Sequence, residues 1–530
     1  VRTRRELIAY ADTRRFSRLV LDHVGGDPFL DDFRHYPPTL QGLRDAAAKR
    51  AFPSVRRASL VQALRAQYGS IPLGEAVQRS LDLLQRNDAL TVTTGHQLCL
   101  FLGPQYVTFK LLNAVRLAHQ LSTVLNRPVV PVFWMATEDH DRAEIDHAWI
   151  DGAKVHWPGA SAGAVGRMPL EGIGAALEEA ERMLGDTAGA RDLAALLRDC
   201  YAPQRSLAEA TRRFAHALFG RYGLVVADGD DRALKQHFVP VLREELINGI
   251  AQRAVAFADE RLGVRYGPQA HARAINVFHL RPGHRARIER QGDHFQVLNG
   301  GPRFTLEELL LDLELRPQDY SPNVLLRPVY QEVVLPNIAY IGGGGELAYW
   351  MQLRWLFDAV RVPMPAVLLR NSAQLVPASM ESLRNKLGLE VTDLFAEAHD
   401  LENRVARAAA GITTDVAEER ALVEAAMERL ARRATAVDPT LMAHVAAASG
   451  RMQKLLSEAA KRMDRAVRRR ESIQVDRARR LLAGLFPGAG LLERRESILP
   501  WIAAYGPGFL DELLEALDPL DPRFTVLTEA

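Results

Sequence analysis

Residues 128–136 (PVVPVFWMA) constrain this chain more than any other stretch, because they form an apolar run of strand length with no polar face. Such a strand must be covered on both sides, which points to the interior of a parallel sheet. Upstream, residues 89–94 (ALTVTT) form a second β-prone run. Gly95, His96 and Gln97 follow, then a loop through Gly103 and Pro104, and an apolar-periodic helix over about 105–122. Strand, loop, helix and strand make a βαβ unit, since parallel neighbours need a crossover of a dozen or more residues. The fold class expected is therefore α/β, with a nucleotide-binding type of sheet.

Other segments extend that sheet or interrupt it. Residues 1–89 read as helical, punctuated by Pro37, Pro38, Pro53 and Pro72. Residues 151–214 turn Gly/Ala-rich and then helical, as an insertion would. Residues 222–227 (YGLVVA) supply another short strand, and 261–319 hold short β segments with turn residues, a second insertion. From Tyr320 the chain returns to loop, helix and strand, and residues 364–370 (MPAVLLR) read as the last strand.

After about residue 374 the strand signals largely stop. Helical pattern runs to Ala436, broken near Gly388 and Gly411. Asp438 and Pro439 then read as an N-cap and first helical residue. One uninterrupted helix of about 48 residues from Pro439 to Phe486 would reach roughly 70 Å. Its residues Leu441, Val445, Ala448, Met452, Leu455, Ala459, Met463 and Ala466 recur at spacings of four and three, a coiled-coil seam. The seam fits either an antiparallel hairpin within the chain or a dimer. The nine basic and three acidic residues of 461–480 read as a solvated helix face.

Composition closes off several classes. With 67 Lys+Arg against 65 Asp+Glu, no global field draws in nucleic acid or an anionic membrane. Two cysteines in 530 residues are too few for a secreted disulfide framework, and no apolar run approaches about 18 residues. The opening residues lack the apolar core of a signal peptide, so the expected address is cytoplasmic and the expected partners exclude membrane and nucleic acid.

Three clusters of residues carry chemical potential. The loop after the first strand, with Gly95, His96, Gln97 and Gly103, can hold an anion on backbone N–H groups, and Lys110 in the following helix can reach back to it. Glu138, Asp139, His140 and Asp141 directly follow the buried strand, at the end where open α/β sheets bind ligands. If this stretch continues as helix, His140, Glu144 and His147 share one face, and the alternatives are a metal site or a hydrogen-bonded acid/base cluster. Four glycines from Gly342 to Gly345, followed by Glu346, permit close backbone approach to a ligand, with Arg327 nearby. Cys99 reads as a small buried hydrophobe. No G-x-S-x-G elbow, HExxH or Walker A motif occurs.

The stretches TGHQLCLFLGPQYVTFK, PVVPVFWMATEDHDRAEIDH, SPNVLLRPVYQEVVLPNIAYIGGGGELAYW, MPAVLLRNS and LFPGAGLLERRESILPWIAAYG occur in an order and spacing that resembles the cysteine-adding enzymes of bacillithiol biosynthesis. The resemblance spans about residues 90–510. It implies a Rossmann-like core of nucleotidyltransferase type with two connecting insertions and a C-terminal α-helical coiled-coil domain. On that reading, 1–150 holds N-terminal helices and the first half of the core. Residues 151–214 form the first insertion, 215–260 continue the core, 261–319 form the second insertion and 320–373 complete the core. The coiled-coil domain takes 374–486, and 487–530 are a C-terminal segment.

The implied reaction joins L-cysteine to the amine of glucosaminyl-malate, with ATP as the expected activating nucleotide, no metal, and a homodimer formed through the coiled coil. The loop from Gly95 to Gly103 lacks the paired-histidine signature of related synthetases. Within this reading His96, Asp139, His140 and Asp141 are the candidate catalytic residues. Gly95, Gln97, Gly103, Lys110, Glu138, Arg327, Gly343, Gly344, Gly345 and Glu346 are the candidate binding residues. A metal-dependent hydrolase of glycoconjugates using His140, Glu144 and His147, or a noncatalytic coiled-coil scaffold, are the alternatives.

Overall fold

A computed structural model describes residues 3–159 and 162–529. Its centre is a five-stranded sheet in the order Ala366–Leu369, Asn337–Gly342, Leu90–His96, Val129–Met135, Val225–Asp228, with every neighbouring pair parallel. The alternation along Val129–Met135 explains its unbroken apolar sequence. Val130, Val132 and Trp134 join one core with the helices Ser54–Tyr68 and Glu75–Leu84, while Phe133 and Met135 join another beneath the helix Gln105–Leu125.

The chain lays down three strands outward from Leu90–His96 and then returns to add two on its other side. The order therefore reverses between Leu90–His96 and Asn337–Gly342. The connections at this switch point leave the sheet in opposite directions and open a crevice at the carboxyl ends of the strands. The loop into the Gln105–Leu125 helix is tight. Phe101, Leu102 and Gly103 all take positive φ, and a Cβ on Gly103 would lie 2.6 Å from the Cβ of Cys99. Glycine is required there by the turn itself.

Between Val129–Met135 and Val225–Asp228 the chain inserts the hairpin His147–Ile150/Ala153–His156 and a group of helices. Before Asn337–Gly342 it inserts an antiparallel sheet of Arg303–Thr305, His294–Val297, His284–Gln291, Val277–Arg281 and Tyr320–Pro322.

Three expectations from sequence need correction. Residues 1–89 are not all helical: Thr3–Ala9 is a strand, paired antiparallel with Arg523–Glu529, which runs parallel to Ala373–Val376. Strands therefore also continue past residue 374. Their pairing partners lie hundreds of residues apart, so no local pattern marks them. Third, the long helix breaks at Glu471 into Leu441–Arg470 and Ser472–Leu485. No proline or glycine sits at the break. The turn lets Ala478, Leu481 and Leu485 enter the core formed with Leu394, Leu401 and Val405, so tertiary packing overrides the local preference to continue.

Leu441–Arg470 folds back antiparallel on Ala417–Val437, with Arg420 donating to Ser457 Oγ at 2.5 Å and Gln453 donating to the Arg420 carbonyl at 3.2 Å. The intrachain seam is rotated from the one read in the sequence. Val445 is buried, and Asp464 and Val467 are buried against Arg407, Thr414 and Ala406, which precede the hairpin, whereas Leu441, Met452, Leu455 and Met463 remain exposed along one stripe.

Candidate active site at the strand ends

A cavity of about 640 Å³ opens at the switch point. The first strand contributes Gly95 and His96 to its wall, and Gln97 follows. Trp134, Met135 and Ala136 come from the end of the second strand, with Glu138 and Asp139 just beyond. Tyr340 and Gly343 to Glu346 come from the fourth strand and the short helix after it, and Arg370 ends the fifth. The antiparallel insertion closes the other side with Phe278, Arg285 and Asn323, joined by Arg327 and Arg494.

A buried ion pair holds the switch point together. Lys110, 1% exposed, projects from the helix after the first strand and meets Glu346 Oε2 at 2.6 Å, and it also donates to the Gly95 carbonyl. Glu346 accepts from Tyr340 Oη at 2.6 Å and from the Gly343 N–H at 2.8 Å. Burial favours the neutral acid, but Lys110 and these donors outweigh it and hold the carboxyl below its usual range. Gly95 is needed for this approach: a Cβ there would come within 3.1 Å of the Tyr340 hydroxyl.

His96 faces the cavity edge-on to Tyr106, and burial, reinforced by the Lys110 cation, pushes it down to about 3. It is therefore a neutral imidazole at physiological pH. Asp139 is the opposite case. Burial opposes its charge, yet contacts from His140, Gln97 and Arg285 hold its carboxyl well below the usual range. Among them are Gln97 Nε2 at 2.9 Å and the His140 backbone N–H at 2.7 Å. Glu138 pairs at 2.8 Å with Lys235, which also pairs at 2.8 Å with Asp230. Burial works against the lysine charge, and the two carboxylates outweigh it.

The arginines differ in what remains free. Arg370 is committed to Glu493 at 2.8 and 3.0 Å, a buried bidentate pair. Arg327 bonds only neutral groups, Gln331 Oε1 and Tyr349 Oη, each at 3.1 Å, so its charge stays available to an anion.

Ten of the fourteen candidates from sequence line the cavity: Gly95, His96, Gln97, Glu138, Asp139, Arg327, Gly343, Gly344, Gly345 and Glu346. Four do not. Gly103 serves the turn over Cys99, and Lys110 spends its charge on Glu346 instead of reaching an anion. Asp141 is exposed at the start of the Arg142–Ile145 turn. His140, with its side chain 49% exposed, points to Arg285.

The shared helical face of His140, Glu144 and His147 does not form. The helix is one turn long, and His147 begins a strand with its ring on Asp146. Among the described residues no three His, Cys, Asp or Glu side chains are grouped to hold a metal. Cys99 lies 3.8 Å from His96 Nε2, but burial raises its thiol to about 12, so it is no thiolate nucleophile. The sequence reading missed Tyr106, Arg285, Tyr340 and Arg370. Only Arg370, at the end of an apolar strand, carried a local signal.

The family description "Bacillithiol biosynthesis BshC, N-terminal Rossmann-like domain" matches residues 4–371, and the corresponding "C-terminal coiled-coil domain" matches 373–529. The chain belongs to the BshC family. Relatives bearing the name "Putative cysteine ligase BshC" include one from Flavobacterium johnsoniae, 35% identical over 99% of both chains. Another from Cytophaga hutchinsonii is 35% identical over 97% of both, and one from Chlorobaculum tepidum is 30% identical over 89% of both. The Rossmann-like architecture of the BshC family coincides with the parallel sheet that carries the cavity, and its coiled-coil domain with the C-terminal hairpin.

The Lys110–Glu346 pair gives a direct test. Lys110 is the fully buried partner, and stranding a buried charge costs about 3–5 kcal/mol. Glu346→Gln should lose about that much in urea unfolding, and adding Lys110→Met to the same chain should recover part of it. A Glu346→Gln protein as stable as wild type would contradict the assignment.

Proposed function

We propose that this cavity joins L-cysteine to the amine of glucosaminyl-malate, completing bacillithiol in the cytoplasm. The observation that carries the reading is the charge layout at the switch point. Asp139 is held ionised for an ammonium or amine, while Arg327 offers a carboxylate a cation whose hydrogen bonds go to neutral groups. A substrate pair bearing carboxylates and amines needs both signs of charge within one cavity.

Amide formation makes an N–C bond and breaks a carboxylate C–O bond, so the oxygen must first become a leaving group. ATP, when bound, supplies that activation. The open space beside Gly345, with Arg327 and neutral His96 alongside, supports a nucleotide held at Gly343 to Gly345. His96 can donate one hydrogen bond to a developing oxyanion without bringing a charge, and Asp139 can orient the attacking amine. Among the described residues no helix is long and apolar enough to cross a membrane.

The exposed stripe Leu441, Met452, Leu455 and Met463 supports a homodimer through the coiled-coil hairpin, because the intrachain seam leaves it uncovered. Light scattering should give twice the 58.9 kDa chain mass, and Leu455→Glu with Met463→Glu should give the single mass. A wild-type monomer would contradict it. For the reaction, purified protein incubated with L-cysteine, glucosaminyl-malate and ATP should yield the thiol conjugate by mass spectrometry, and none without ATP. Product in the absence of ATP would contradict the activation route, and no product in either case would contradict the function.

A further inference from the structure

His140 Nδ1 stands between two partners it cannot serve together. Arg285 Nη1 lies 2.9 Å away and Asp139 Oδ1 lies 3.4 Å away. A guanidinium has only N–H donors, so toward Arg285 the ring nitrogen must accept, which places the imidazole proton on Nε2. Toward an ionised carboxylate the same nitrogen must donate, which frees Nε2 as a lone pair. The resting geometry has chosen Arg285, so His140 as it stands is not a base.

Arg285 is placed to change that choice. It comes from the antiparallel insertion, its side chain is 8% exposed, and it lines the cavity. The guanidinium lies 3.8 Å over the Phe278 ring and donates to the Pro322 carbonyl at 3.1 Å and to Ser321 Oγ at 3.3 Å. These hydrogen-bond partners are neutral, and its ion pair with Asp139 Oδ1, at 3.9 Å, is too long to be a hydrogen bond. A carboxylate entering the cavity offers the guanidinium an opposite charge and two parallel N–H···O bonds, which a neutral imidazole cannot.

We propose that Arg285 is the carboxylate sensor of the site: a substrate carboxylate that takes its guanidinium releases His140 Nδ1 to Asp139 and turns His140 Nε2 into the proton acceptor. In the switch Nε2 gives its proton to solvent and Nδ1 gains one, so the ring stays neutral. His140 stands behind the lining residues Asp139, Phe278 and Arg285, so as the N–C bond forms the proton leaving the amine reaches Nε2 through a water, and Asp139 stabilises the resulting imidazolium. His140 acts only when the anionic substrate is in place, which protects an activated cysteine from water while the site waits. The inference rests on the function proposed above, and Arg285 in it is a positioning residue.

The test is the tautomer of His140 in full-length protein labelled with ¹⁵N-histidine, its signals identified by their loss in His140→Gln. Wild type alone should show Nδ1 unprotonated, and wild type with glucosaminyl-malate and no cysteine should show it protonated. Arg285→Gln should show it protonated with no ligand present. An Arg285→Gln spectrum identical to wild type would overturn the fork, whatever the substrate is. Glucosaminyl-malate that binds by calorimetry and leaves the wild-type tautomer unchanged would overturn the sensor alone. Glucosaminyl-malate that does not bind at all would overturn both the sensor and the proposed function. In turnover, Arg285→Gln should raise KM for glucosaminyl-malate about 10-fold or more with kcat within about 3-fold, and His140→Gln should lower kcat instead. Equal losses of kcat in both variants would mark Arg285 as merely structural. If Arg285→Gln fails to fold, seen as collapse of all histidine signals, Arg285→Met, which keeps an apolar stem against Phe278 and removes every N–H donor, carries the same comparison.

Discussion

The buried pair of Lys110 and Glu346 is the constraint on which the rest of the site depends. It joins the helix leaving the first strand to the helix leaving the fourth, the two connections that diverge at the switch point. Its cation also reaches the Gly95 carbonyl and helps keep His96 neutral, while its anion fixes Gly343 and Tyr340. One interaction thus ties together the backbone at Gly95, the Tyr340 hydroxyl and the start of the glycine run, and adds to the burial that keeps the imidazole neutral. Such a pair is poor evidence of net stability but good evidence of a specified geometry.

Around that lock the cavity separates its charges. The core supplies the anions Glu138 and Asp139 at the end of the second strand. Cations come from four separate parts of the chain: Arg285 from the insertion, Arg327 before the fourth strand, Arg370 after the fifth, and Arg494 near the C-terminus. A molecule that satisfies both sides has to span the sheet and the insertion together. The insertion is in this sense a wall with a sensing group, whose Arg285 is held in place within the insertion by Phe278, Ser321 and Pro322.

Much of this was legible in the sequence because the decisive segments are local. The run of residues 128–136 could only be a doubly covered strand, and polar residues directly after it could only stand at a strand end. The glycines before Glu346 announced a close approach for the same reason. What escaped was non-local. The strand Thr3–Ala9 depends on a partner beyond residue 520, the break at Glu471 on packing against Leu401 and Val405, and Arg285 on a sheet that folds over the crevice. Lys110 was read as an anion ligand because its helix position favoured it, whereas burial beside Glu346 assigned it a structural partner. The exposed stripe on Leu441–Arg470 shows the same limit. Periodicity revealed a seam but not which of two apolar faces the chain would use on itself.

A crystal structure of the protein with glucosaminyl-malate bound addresses the account most directly. The ligand should lie at the carboxyl ends of Leu90–His96 and Asn337–Gly342, with its amine on the Asp139 side and a malyl carboxylate on the Arg285 or Arg327 guanidinium, and with Lys110 still on Glu346. A ligand bound elsewhere, or one that draws Lys110 away from Glu346 to itself, would contradict it.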